Sequence, residues 1–194
     1  MNYNIKDNAS LGIACKQLLS GEIIIYPTDT LYGLGVDATN TSAIEKLNQL
    51  KKRGKPYSII VDSINMLKKY ALYEEVQDEV ESIFPGPYTA ILRKKNSDLS
   101  KLVSLNFNTI GIRIPNTSFI LDVVKQINRP IITTSVNLNG EVPIQSSSEI
   151  KKYGNGINKF IDNSINTKSN GSTIINFTKN PLQVIRYGDG KFNL

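Results

Sequence analysis

The chain has 194 residues, 40% of them hydrophobic and 21% charged, with a formal net charge of +6 and no histidine. This balance is ordinary for a globular domain burying roughly 70% of the surface its unfolded chain exposes, and it excludes a disordered or fibrous polypeptide. The missing histidine excludes Ser-His-Asp and Cys-His nucleophilic catalysis and imidazole-bound zinc, while the positive charge favours anionic partners such as nucleotides, phosphates or RNA.

The N-terminus, Met1-Asn2-Tyr3-Asn4, lacks the basic-then-apolar signature of a secretion signal. No segment reaches the roughly 20 apolar residues of a membrane span, so a cytoplasmic protein with no membrane partner is expected. Asn8 or Ser10 can cap a helix running through Leu19 and ended by Gly21, with the single cysteine, Cys15, on an apolar stripe beside Leu11, Leu18 and Leu19. A thiol in that place reads as buried and structural. Ile23-Ile24-Ile25 then reads as a buried strand that breaks abruptly into Tyr26-Pro27-Thr28-Asp29-Thr30-Leu31-Tyr32-Gly33-Leu34-Gly35. Hydroxyls, a carboxylate and glycines at a strand tip are suited to holding a small ligand.

Ser42-Ala43-Ile44-Glu45 has capping-box spacing, and Ile44, Leu47 and Leu50 fall on one face of a second helix that delivers Lys51-Lys52-Arg53 at its C-terminal end. These cations fit two roles, complementing the helix dipole or meeting an anion. The Lys-Lys pairs at 51–52, 68–69, 94–95 and 151–152 are scattered, and fit either a solvated surface or a nucleic-acid footprint. Ser58 to Val61 predicts a buried strand, Val76, Val80, Ile83 and Phe84 space out a helix stopped by Pro85-Gly86-Pro87, and Tyr88 to Arg93 resumes as strand. Thr109 to Ile114 alternates as a further strand, with Arg113 on the face opposite Ile112 and Ile114, pointing either inward or to solvent. A helix over Ser118 to Ile127 leads to the strand Ile131 to Thr134 and a second polar tip, Ser135-Val136-Asn137-Leu138-Asn139-Gly140, which fits a ligand edge or an ordinary turn. From Ser146 the pattern predicts a short helix, an Asn/Ser/Gly-rich loop to Gly171, and strands at Thr173 to Phe177 and Gln183 to Arg186.

Strands alternating with helices define an α/β fold, and the hairpin-like C-terminal strands argue for a mixed sheet. Nothing marks a second domain. Ligands of open α/β sheets bind beyond the carboxyl ends of strands, where both polar tips fall. Neither a Walker A sequence nor G-x-G-x-x-G is present, so a nucleotide would bind by another route.

Taken together, Tyr26 to Gly35, Lys51-Lys-Arg53, Phe84-Pro-Gly-Pro87, Gly111-Ile-Arg-Ile-Pro115, Ser135-Val-Asn137, Ser172-Thr-Ile174 and Arg186-Tyr-Gly188 resemble the YrdC/TsaC family of threonylcarbamoyl-AMP synthases, in family order over almost the whole chain. The resemblance implies a single YrdC-like domain over residues 1–194, with no extra C-terminal domain, built as an open twisted mixed β-sheet flanked by helices around a basic concave cleft. It implies formation of threonylcarbamoyl-adenylate and pyrophosphate from L-threonine, bicarbonate and ATP, the first step of threonylcarbamoyladenosine formation in tRNA. Magnesium would travel with ATP and pyrophosphate and need no protein metal site.

Residue by residue, the resemblance puts Lys51, Arg53, Ser135 and Asn137 in the reactive centre. It puts Arg53, Thr109, Ser135 and Arg186 against ATP, and Thr30, Tyr32, Arg113, Thr133 and Ser172 against threonine, with Arg113 pairing the substrate carboxylate. Tyr32 fits core packing equally well. Asp62 stands where many members have a histidine, Pro143 where some present a serine, and the Arg53-to-Ser58 loop is one residue shorter. A lid would come from loops, the stretch Ser97 to Asn108 being one candidate. tRNA or a tRNA-modifying transferase complex is the further partner implied. Two other readings stand: an RNA-binding YrdC-like module without synthase activity, and a carbamoyl-adenylate-forming domain.

Overall fold

The computed structural model describes residues 1–52, 54–137, 141–154, 156–162 and 168–192. Arg53 and the 138–140 part of the second polar tip lie outside them. The strands are β1 (Asn2–Asn4), β2 (Ile24–Tyr26), β3 (Gly33–Gly35), β4 (Ser58–Ile60), β5 (Ala71–Leu72), β6 (Tyr88–Lys94), β7 (Thr109–Arg113), β8 (Ile131–Ser135), β9 (Asn158–Ile161), β10 (Thr173–Asn176) and β11 (Gln183–Arg186). They form one mixed sheet in the order β1-β9-β2-β3-β8-β4-β7-β6-β10-β11, with β5 pairing β6 off this path. The pairs β1–β9, β2–β9, β4–β7 and β6–β10 are parallel, and the others are antiparallel. The expected α/β class and mixed sheet are thus observed.

Helix α1 (Asn8–Leu19) buries Ser10, Ala14, Cys15 and Leu18 and packs on α6 (Ser118–Ile127), whose Phe119, Ile120, Val123, Val124 and Ile127 form the facing stripe. Neither Asn8 nor Ser10 caps α1: the N-cap is Asp7, without a side-chain bond, and Ser10 Oγ donates instead to Asn4 O at 2.6 Å. Leu19 lies outside the stripe, half exposed, but Cys15 is buried as expected, its Sγ near Val123 O. Helix α2 (Thr41–Lys51) is capped by Asn40, whose Oδ1 accepts from Ala43 N, so the Ser42/Glu45 capping box does not form. Its buried face is Ala43, Ile44, Leu47 and Lys51, with Leu50 only partly covered. The short helices α3 (Ile64–Tyr70), α4 (Gln77–Ile83), α5 (Lys101–Ser104) and α7 (Ser147–Lys152) complete the flanking layers. No described helix is long and apolar enough to cross a membrane.

The glycines of the first polar tip, Gly33 and Gly35, belong to β3. Neither has a left-handed φ; both are strand residues facing the ring of Tyr26 on β2. A Cβ on Gly33 would lie 2.7 Å from that ring, and one on Gly35 would lie 2.3 Å from the carbonyl of Ile132 on β8. Side chains at these positions would force β2, β3 and β8 apart, because packed interiors have no slack at that scale. Tyr26 is fully buried, its hydroxyl donating to Ile132 O at 3.3 Å.

Gly35→Ala is therefore expected to lower the unfolding free energy by about 2–3 kcal/mol in urea titrations. Gly12→Ala, on the exposed side of α1 with no atom within 4 Å of the added carbon, is expected to raise it by about 0.5–1 kcal/mol.

Candidate active site

The strand register brings the polar tips onto one line across the sheet. Gly33 pairs with Ser135, while Ser58 is flanked by Thr133 on one side and Gly111 on the other. A cavity of about 610 Å³ opens over this line, a volume within the usual range for small-ligand sites. Among its lining residues are Thr30, Tyr32, Arg113, Thr133, Ser135, Ser172 and Arg186, seven of the positions singled out from the sequence. Arg113 and Arg186 are the only charged residues of the described lining, which is otherwise rich in hydroxyls.

Lys51 stands behind the wall. Its position follows from α2: Ile44, Leu47 and Lys51 are spaced three and four residues apart, so the apolar stripe ends in a lysine on the buried face. Only 1% of the residue is exposed, and Nζ donates to Ser135 O at 2.8 Å, Asn137 O at 2.5 Å and Asn137 Oδ1 at 2.8 Å. The same Oδ1 accepts from Ser135 Oγ at 2.7 Å, while Asn137 Nδ2 donates to Glu141 O at 2.7 Å. A buried ammonium is tolerable when its protons meet oxygen acceptors, and here it fixes both the backbone and the hydroxyl of the residue facing the cavity. Lys51, Ser135 and Asn137 thus form one network, with only Ser135 reaching the cavity lining.

Arg113 ends β7 and points inward, settling the choice left open by its alternation. The residue is 8% exposed; Nη2 donates to Asp29 Oδ1 at 2.9 Å and to Thr30 Oγ1 at 3.1 Å, while the buried Nε has no partner. Asp29 Oδ2 in turn accepts from Asn116 N at 2.9 Å. Burial pulls the guanidinium pKa down, and the Asp29 charge opposes that pull. Arg186 is held differently: Nε and Nη2 donate to Ser172 O at 3.1 and 2.7 Å, and Nη2 also reaches Ser172 Oγ at 3.2 Å. Its pKa is also lowered, chiefly by desolvation, with Asp189 opposing. Thr28 Oγ1 donates to Leu31 O and accepts from Thr30 N, which shapes the tip presenting Thr30. The Tyr32 hydroxyl donates to Asp162 O and accepts from Asp162 N, so its phenol is a structural pin and burial raises its pKa.

The far wall comes from residues 142–145 and 169–172. Gln145 Nε2 donates to Ser169 O and its Oε1 accepts from Ser169 N, so one side-chain amide pairs with a backbone as a strand would. Asp189 accepts from Ser169 Oγ at 2.5 Å and from Asn170 N at 2.9 Å. The stretch Ser97 to Asn108 is not a lid: Ser100 N donates to Ala38 O, Tyr57 N donates to Val103 O, and Val103 is fully buried. Thr109 opens β7, opposite Arg93 on β6, and does not line the cavity. Asp62 accepts from Ser63 Oγ and is also absent from the lining, whereas Pro143 is part of it. Arg53, expected in the reactive centre, lies outside the described residues.

Asp29, Gln145 and Asp189 escaped the sequence reading. Asp29 carried a signal, as the one carboxylate within a tip otherwise made of hydroxyls and glycines. A second concavity of about 530 Å³ lies at the opposite ends of β6 and β10, between Leu72–Val76 and Phe177–Leu182, and includes none of the expected site residues.

The family profile Sua5/YciO/YrdC, described as telomere recombination, matches residues 16–188. A threonylcarbamoyl-AMP synthase of Vibrio campbellii is 34% identical over 143 residues, covering 71% of this chain and 77% of the relative. A putative threonylcarbamoyl-AMP synthase of Methanocaldococcus jannaschii is 35% identical over 179 residues, covering 89% and 83%. The crystal structure of P. abyssi Sua5 complexed with L-threonine shares the fold, with a TM-score of 0.88 at 24% identity over 97% of this chain, which spans 57% of that protein.

Lys51→Ala is expected to lower stability by about 2–4 kcal/mol in urea titrations, because three oxygens lose a buried charged donor. Ser135→Ala, which removes one hydroxyl at the cavity wall, is expected to stay within about 1 kcal/mol of the parent.

Proposed function

The chain belongs to the Sua5/YciO/YrdC family, and we propose that it is an L-threonylcarbamoyladenylate synthase acting in the cytoplasm on the route to threonylcarbamoyladenosine in tRNA. The observation that carries this reading is the pair of guanidinium groups, Arg113 and Arg186, on one cavity whose remaining described lining is uncharged and rich in hydroxyls. The reaction joins two anions, and the cleft presents two cations. Relatives from Vibrio campbellii and Methanocaldococcus jannaschii that bear the synthase name support the assignment.

In the proposed reaction the amine of L-threonine forms a carbon–nitrogen bond with carbon dioxide from bicarbonate and loses a proton, giving a carbamate. A carbamate oxygen then attacks the α-phosphorus of ATP; the new oxygen–phosphorus bond forms as the α,β-anhydride breaks, and pyrophosphate leaves. Such an adenylyl transfer needs alignment and charge neutralisation more than a protein nucleophile. Arg113 would take the threonine carboxylate, with the hydroxyls of Thr30, Thr133 and Ser172 around the amino acid. Arg186 and the Ser135 hydroxyl, together with Arg53, would meet ATP. Lys51 and Asn137 would act by holding Ser135 in place.

Asp29 and Asp189 are both engaged by protein donors, so magnesium enters this scheme chelated by the triphosphate, as part of the substrate. The adenylate would pass to a tRNA-modifying transferase complex, with the synthase step carried by the one YrdC-like domain.

Purified protein with ATP, magnesium and bicarbonate should release pyrophosphate only when L-threonine is added; release that ignores threonine would sink the assignment. Salt-sensitive RNA binding without any pyrophosphate would favour an RNA-binding module. Arg113→Ala should raise the KM for threonine roughly tenfold to a hundredfold with little change for ATP, and Arg186→Ala should do the reverse, since each loses a charge-assisted contact.

A further inference from the structure

The two cleft arginines differ in one respect that chemistry can use. Arg113 has a carboxylate counter-ion, Asp29, at 2.9 Å, and both groups are about nine-tenths buried. Among the described residues no carboxylate forms an ion pair with Arg186, whose edge is spent on the neutral carbonyl and hydroxyl of Ser172. Asp189, whose charge opposes the lowering of the Arg186 pKa, accepts from Ser169 Oγ and Asn170 N. Arg113 is therefore in direct contact with its counter-ion, whereas Arg186 meets a carboxylate charge only through space.

We infer that Asp29 is a specificity-determining residue that sorts the two anionic substrates between the two arginines. This rests on the synthase reading above. Attraction at a distance scales with the product of the ligand charge and the net charge of the subsite. Around Arg186, whose countercharge is not in contact with it, the guanidinium is less compensated and pulls harder on a polyanion, the triphosphate. Around Arg113 the net charge is close to zero, so a polyphosphate gains nothing from the field. A monocarboxylate still binds there through directed N–H donors on a guanidinium whose plane Asp29 and Thr30 already fix. Asp29 is held in turn by the Asn116 amide, so its charge stays at the base of the amino-acid subsite and does not swing to solvent. The buried, partnerless Nε of Arg113 shows that Asp29 satisfies the guanidinium incompletely, which leaves it a demand for one further acceptor.

Asp29→Asn separates charge from shape, since the amide oxygen can still accept from Asn116 N or from Arg113. Inorganic tripolyphosphate serves as the probe, in calorimetric titrations that need no turnover. The wild-type protein should bind one equivalent. Asp29→Asn should bind a second, and Asp29→Asn combined with Arg113→Ala should return to one. In steady-state assays tripolyphosphate should become competitive with L-threonine in Asp29→Asn, with an inhibition constant at least tenfold below that of the wild type. An unchanged single equivalent in Asp29→Asn, or a second equivalent that persists in the double variant, overturns the inference. If the wild type shows no threonine-dependent pyrophosphate release, the synthase reading fails and the calorimetry still decides the sorting. Circular dichroism checks folding, and Asp29→Ser supplies the same titration should Asp29→Asn unfold.

Discussion

Strand β8 pairs with β3 on one side and β4 on the other, and the Thr133, Ser135 and Ser58 hydroxyls of the cleft are placed by how closely those three strands approach. The approach to β3 is set where Gly35 meets the carbonyl of Ile132 and where the Tyr26 ring fills the space that side chains on Gly33 and Gly35 would occupy. A bulky aromatic on β2 and two missing side chains on β3 are thus one packing unit. Its output is a register: Gly33 beside Ser135 and Ser58 beside Thr133, so that the ends of β3, β8 and β4 meet at one cavity.

Buried charge is handled in two ways around this register. The Lys51 ammonium donates to carbonyl and amide oxygens of Ser135 and Asn137. The Arg113 guanidinium meets a carboxylate, which cancels charge but leaves one N–H unmet. The first arrangement suits a structural clasp, because three donor contacts tie the helix end to the tip of β8. The second suits a subsite, because it is satisfied only in part.

The alternating strands and helices, the mixed sheet and the two polar tips were legible in the sequence because each rests on local periodicity or composition. Strand β3 was not, since Gly-Leu-Gly lacks the branched and aromatic residues of a typical strand and pairs only because its neighbours demand a thin strand there. Strands β1 and β9 were missed for a related reason: three or four residues pair across more than 150 positions of sequence, a contact with no local trace. The cap of α2 was misplaced by two residues because Asn40 and Ser42 are both competent caps and only tertiary context chooses. In the site, the residues that line the cavity were readable as motifs, whereas the direction of Arg113 and the burial of Lys51 were not. Both depend on which strand or helix lies opposite, which single-chain patterning does not encode.

The clasped ammonium has a chemical corollary. A carbamoyl-adenylate is a mixed anhydride, and any free amine beside it would be acylated. The described lining of the cleft holds hydroxyls, amides and guanidinium groups, all poor nucleophiles near neutral pH, and Cys15 is buried on α1 against α6. Lys51 has its amine inside the wall, engaged by Ser135 and Asn137. Under the proposed reaction, the enzyme makes an acylating agent in a chamber whose described lining offers it no amine or thiol to acylate.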